Sequence, residues 1–222
     1  MKIRFHRGDW CDDVKALEAV RARISDRMEL MVDCNQGWRM PWDTAPAWTF
    51  EEARDVARAL EPLSITWMEE PLHRANYDGM HALREATRIR IAGGEMAREV
   101  HELHTLIERD ALDVLQPDAA LVGGITGLKE IVTMAEAHGL IFTPHTWTNG
   151  MGLVANAHLA AGLANAPFLE FPYDPPEWSL ARRDFMMTTP LRTDAQGWVV
   201  LGDTPGMGYE LDEGMLAKTR IA

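Results

Sequence analysis

The chain has little cysteine and little positive charge, and it has no long apolar run. Its 222 residues include two cysteines, Cys11 and Cys34, too few for a disulfide framework and without the paired Cys/His spacing of a structural zinc site. A reducing, cytoplasmic setting is the expectation that follows. Lys and Arg number 22 against 34 Asp and Glu, for a formal charge of −12. That shortage argues against a nucleic-acid surface, which needs clustered cations to release counterions. It does not exclude an anionic substrate, because a cation or a few local basic groups can reverse the field inside a cleft. No stretch approaches the roughly 18 apolar residues of a membrane span, and the opening MKIRFHRGDW turns polar at once, unlike a signal peptide. His101-Glu102-Leu103-His104 has the wrong spacing for an HExxH zinc helix. Gly123-Gly124-Ile125-Thr126 lacks the lysine of a phosphate-binding loop.

What is present is alternation. Short β-branched or apolar runs at Lys2–Phe5, Glu29–Cys34, Ile65–Glu69, Ile89–Gly94, Leu112–Gln116, Leu140–Pro144 and Pro167–Phe171 read as strands, and amphipathic stretches separate them. Val14, Leu17, Val20 and Ile24 recur at steps of three and four, as do Ile125, Leu128, Val132 and Ala135, so each set forms one apolar stripe on a helix. Strand-then-helix repetition implies parallel strands with right-handed crossovers. Acidic or histidine residues end almost every strand, which favours a (β/α) barrel, with its site at the strands' C-terminal ends, over an open sheet with one switch point. The barrel is expected over residues 1–176. Beyond Tyr173-Asp174-Pro175-Pro176 the alternation stops, and 177–222 reads as an irregular tail with a short strand at Trp198–Leu201.

Three carboxylates stand at successive strand ends: Asp33 in MVDCNQGW, Glu69 in WMEEPL and Glu95 in IAGGE. Each lies about one βα unit from the next. Three anions aimed at one point repel unless a cation sits between them, and hard oxygen ligands favour Mg²⁺, with Mn²⁺ as an alternative, over zinc. Asp118 and His145 continue the series, and a carboxylate beside a histidine fixes the tautomer and raises the basicity of the ring, making His145 a candidate acid or base. Lys2 and Arg4 share one face of the first strand, where they would hold a carboxylate and lower each other's pKa. Glu170 closes the ring in FLEFPYDPP, as a protonated donor or as a structural acid. Trp38, Trp42 and Trp147 follow strand ends and are candidates to wall a pocket.

The ordered set DCN, WMEEP, GGE, QPDAALVGGITG and TPH resembles the barrel of the mandelate racemase subgroup of the enolase superfamily, from Lys2 to about Pro176. The resemblance implies Asp33, Glu69 and Glu95 as metal ligands, His145 and Asp118 as a catalytic dyad, Glu170 on the enolate side, and Asn35 as a polar residue near the metal site; Asn35 and, from its place after a strand end, Trp147 are the candidate substrate contacts. It also implies that the family's Lys-x-Lys motif falls on Lys2-Ile3-Arg4. Arg4 departs from that motif, and a guanidinium is too basic to take a proton at neutral pH, so the proton-transfer burden shifts to His145. On this alignment the chain begins at the family's second barrel strand, lacking the first strand and the N-terminal capping domain on which the tail would pack. The expected activity is Mg²⁺-dependent chemistry on a hydroxy acid or sugar acid, with dehydration preferred over racemisation or epimerisation. A homo-oligomer is expected. The rival is a non-catalytic remnant that needs a partner chain, since a missing strand leaves open edges.

Overall fold

The computed structural model describes residues 1–41 and 43–221, so Trp42 lies outside the described residues. Six strands form one sheet in sequence order: β1 (Lys2–Arg4), β2 (Leu30–Asp33), β3 (Ile65–Glu69), β4 (Arg90–Gly93), β5 (Val114–Leu115) and β6 (Ile141–Phe142). Every neighbouring pair is parallel. Helices α1 (Trp10–Ile24), α2 (Phe50–Leu60), α3 (Tyr77–Ala86), α4 (Val100–Glu108), α5 (Gly124–Ala137) and α6 (Gly150–Ala161) follow the strands in turn. This is the (β/α) barrel architecture that the sequence leads one to expect.

Side chains alternate across the sheet as a two-residue period requires. Leu30, Val32, Met68, Ile91, Leu115 and Phe142 point outward and join the helices in the larger core. Met31, Trp67, Ala92 and Val114 point inward and fill the base of the barrel with Ile141 and Phe168. Because Met31 and Trp67 face in, so do the residues two further on, Asp33 and Glu69. Register places Arg4 beside Asp33 and Asp33 beside Glu69, so three charged groups stand level above an apolar floor.

Two expected strands do not form. Residues 167–171 keep the inward placement of Phe168 and Glu170 without strand pairing; this segment is held by Phe142 N donating to Asn165 O at 3.1 Å and by Trp67 packing edge-on to Phe168 at 5.7 Å. Among the described residues no backbone hydrogen bond joins it to β1, and the ring is closed there by the Lys2–Glu170 ion pair. Among the described residues, Trp198–Leu201 likewise has no strand partner beyond one antiparallel bridge between Thr193 and Val199 across a tight turn.

The tail, with short helices α7 (Leu180–Arg183) and α8 (Glu213–Thr219), packs on α6: Met187 and Leu191 are buried against Leu153 and Val154. Ile125 is exposed at the start of α5, whereas Leu128, Val132 and Ala135 are buried, so the apolar stripe begins one turn later than its spacing suggests.

Candidate active site

The strands deliver a ring of charge to one end of the barrel. Lys2 Nζ donates to both Glu69 oxygens, at 2.6 and 2.7 Å, and lies 2.7 Å from Glu170 Oε1. Gln116, inward-facing two residues after Val114, donates to Glu69 Oε2 at 2.9 Å. Asp33 accepts from the Asn35 backbone N–H at 2.9 Å and lies 3.5 Å from Arg4 Nε. Glu95 accepts from the Trp38 indole at 3.3 Å and faces His145 Nε2 at 3.4 Å. His145 Nδ1 sits 3.1 Å from Asp118 Oδ2, as the strand-end pairing anticipates.

Burial and crowding set the protonation states. Burial pushes the Asp33 acid up, repulsion from Glu69 adds to it, and Lys2 only partly compensates, leaving it at about 7. Glu95 is raised for the same leading reason, burial, with His145 pulling the other way. For Lys2, burial would lower the pKa, yet Glu69, Glu170 and Asp33 outweigh it and the net shift is upward. The expected lowering of Lys2 by Arg4 therefore does not occur, because three carboxylates face the ammonium. Burial would raise Glu170, but Lys2 and His145 hold it at about 2. It is ionised, and of its two possible roles the counterion to Lys2 is the one this geometry carries. Burial would depress His145; the Asp118 hydrogen bond, then Glu170 and Glu95, lift it to about 9.

Several contributors escaped the sequence reading. Glu70, the second acid of WMEEPL, is buried with Oε1 unpartnered and is pushed up to about 10 by burial, then by Glu95, Asp33 and Glu69. It adds a further acid to the cluster, and the doubled Glu was its only sequence signal. Trp178 of the tail stacks on Trp147 at 5.7 Å, and Trp147 carries the Arg4 guanidinium 4.1 Å above its ring. Asn35, already named from the sequence, adopts a positive φ of 52° and turns its amide to Phe5 O at 3.2 Å, tying the ends of β1 and β2 together.

A cavity of about 890 Å³ opens beside this ring, lined by Lys2, Arg4, Asn35, Gln116, Trp147 and Glu170 among others. Asp33, Glu69, Glu95, Asp118 and His145 do not line it and stand in the packed layer alongside. Nor are three of the ligand-type side chains gathered around one point among the described residues. The donor set nevertheless fits a hard divalent cation: oxygen-only, buried, and carrying more negative charge than its lysine and arginine neutralise.

A parallel barrel with acids and a His-Asp pair at its strand ends is the arrangement that the resemblance to the enolase superfamily implies. Residues 1–215 match the family model described as enolase C-terminal domain-like, and the chain belongs to that family. It is 30% identical over 215 residues to an arabinonate dehydratase of Saccharolobus solfataricus, covering 97% of this chain and 53% of that protein. It is 32% identical over 213 residues to an L-talarate/galactarate dehydratase of Salmonella typhimurium, covering 96% and 48%. Among solved structures, a 3,6-anhydro-D-galactonate cycloisomerase from Zobellia galactanivorans superposes with TM-score 0.84 at 30% identity, covering 98% of this chain and 57% of that one. An L-talarate dehydratase from Polaromonas sp. JS666, complexed with Mg and L-glucarate, gives 0.82 at 29% identity, covering 98% and 54%. The chain spans about half the length of the curated relatives it matches. Among the described residues no helix is long and apolar enough to cross a membrane.

Proposed function

We propose that this chain supplies the barrel of a Mg²⁺-dependent lyase that dehydrates a sugar acid to a 2-keto acid. The observation that carries the reading is the Asp118–His145 pair at 3.1 Å, standing beside the buried acids Asp33, Glu69 and Glu95 at neighbouring strand ends. Those three would hold the cation, which supplies positive charge for the substrate carboxylate and for the electron density that builds when the α proton leaves. Glu69 Oε1 accepts from Lys2 alone and keeps a lone pair that could face the ion.

The protein's own groups do the rest. Arg4, fixed on Trp147, and Lys2 add positive charge on the cavity side. His145 would take the α proton at Nε2 in its neutral form, the minor one at neutral pH while Asp118, Glu170 and Glu95 lift the ring to about 9, and Asp118 holds the resulting imidazolium in orientation. The same proton then passes to the β hydroxyl. The Cβ–O bond breaks, water leaves, a Cα=Cβ bond forms, and the enol ketonises. Without a β leaving group, return of the proton to Cα would give racemisation or epimerisation instead.

The test is turnover of arabinonate, galactarate, xylonate and gluconate with and without Mg²⁺, reading 2-keto acid formation, beside Asp33→Ala and Glu95→Ala. Turnover that needs Mg²⁺ and both carboxylates is expected. Silence across the panel from protein that circular dichroism finds folded would refute the reading.

A further inference from the structure

Asn156 sits at the centre of α6, behind the barrel wall, and the proposed chemistry makes no use of it. The helix is otherwise glycine, alanine, leucine, valine and methionine apart from His158, and Asn156 is fully buried within it. A buried primary amide is retained only where its hydrogen bonds are made. Every partner of this one belongs to the His-Asp pair or its flanks. Nδ2 donates to Asp118 Oδ1 and to the His145 carbonyl oxygen, both at 2.9 Å, and Oδ1 accepts from the Ala119 N–H at 2.9 Å. The amide has one workable orientation, since flipping it would set oxygen against two oxygens and nitrogen against an N–H.

The chain needs such a clamp here. β5 and β6 are two residues long, and Asp118 and His145 lie three residues beyond their ends, each just after a proline that has no N–H to extend the ladder. Beyond the strands, the described backbone bonds between the two stretches are Thr143 N to Leu115 O at 3.1 Å and His145 N to Pro117 O at 3.2 Å. Asn156 and the Ala120 N–H, at 2.8 Å, together engage Asp118 Oδ1, which leaves Oδ2 for His145 Nδ1. The carboxylate is thereby set and the imidazole is aimed with Nε2 away from it.

We infer that Asn156 is the positioning residue of the dyad, holding the Asp118 carboxylate and the His145 main chain in one frame so that Nε2 is presented to substrate. The inference rests on reading Asp118–His145 as the proton-transfer pair.

The test uses the full chain with Asn156→Leu, of similar volume, and Leu159→Ala as a control in the core of the same helix. For a panel acid that is turned over, kcat should fall by about 10–100-fold while KM stays within about threefold. Leu159→Ala should lower Tm and leave kcat unchanged. In proton NMR without substrate, the hydrogen-bonded Nδ1–H resonance of His145 should be present in the wild type and lost in Asn156→Leu. Unchanged kcat and an unchanged resonance in folded Asn156→Leu would overturn the inference. If Asn156→Leu does not fold, hydrogen exchange of the Asn156 side-chain amide in the wild type decides: slow exchange supports the clamp and fast exchange overturns it. Full activity in His145→Asn would instead overturn the reading of the dyad, while the resonance continues to report on the clamp.

Discussion

At Glu70 burial and charge conflict outright. Its backbone has φ 45°, and its carboxyl lies so close to the next loop that a Cβ on Gly37 would come within 2.1 Å of it. An acid held at about 10 in the fold against 4.5 when unfolded binds its proton more tightly in the native state. Stability from this group is therefore lost as pH rises from about 4.5 toward 10. Glu70→Gln keeps the shape and removes the titration, so its Tm should exceed wild type at pH 8, on the order of 2–4 °C per kcal/mol recovered, and match it at pH 4. Equal Tm values at both pH values would show that the acid is not protonated as argued. The Asp118–His145 pair makes a sharper claim. Asp118→Asn preserves size and loses the acceptor charge that fixes the imidazole, so kcat should drop by about 10²-fold or more in steady-state assays. Asp118 and His145 are legible because strand-end placement marks them. Glu70 and Asn156 are not, because an acid or amide in a sequence does not announce that it will be buried; only the fold decides which polar groups must find partners inside.

Among elements, the tail contributes most through one buried arginine. Arg183 pairs with Asp184 through two bonds of 2.7 Å, donates to Pro172 O at 3.2 Å and to Leu191 O at 2.7 Å, and lays its guanidinium 4.2 Å from the Phe171 ring. It thus anchors residues 171 and 172, next to Glu170, in a segment that has no strand ladder to hold it. Arg183→Met leaves Asp184 buried and unpaired, and should cost about 3–5 kcal/mol in urea denaturation. The double variant Arg183→Met/Asp184→Leu should recover much of that loss, and failure to recover would mean that the contacts to Pro172 and Leu191 matter more than the charge. The same segment explains where the sequence reading of elements stopped. Ile65–Glu69 is found with the expected bounds because its alternation reflects two different environments, barrel interior and helix layer. Pro167–Phe171 has the same alternation and still forms no strand, since a strand also needs a neighbour's backbone, which alternation cannot reveal. Trp198–Leu201 fails for that reason too, and leaves Trp198 and Val200 largely in solvent.

For the whole molecule, the decisive quantity is the balance of buried charge. The chain carries −12 overall and directs several acids inward, with Lys2 and Arg4 as the cations facing them. Asp33 at about 7 and Glu95, also raised, hold protons in the fold that they would release when unfolded, so each weakens the native state as pH climbs above the ordinary carboxylate range. A divalent cation held as proposed above would reverse this. It would bind the deprotonated acids, compete with their protons, and stabilise the fold by RT ln(1 + [L]/Kd), about 2.7 kcal/mol at a hundredfold excess over Kd. Mg²⁺ should therefore raise Tm clearly at pH 8 and hardly at pH 5, and Asp33→Asn should abolish the difference. Differential scanning calorimetry at the two pH values reads this without any substrate. A Tm increase that ignores pH and survives Asp33→Asn would locate the ion on the acidic exterior instead, and would remove the buried acids from the metal site proposed above.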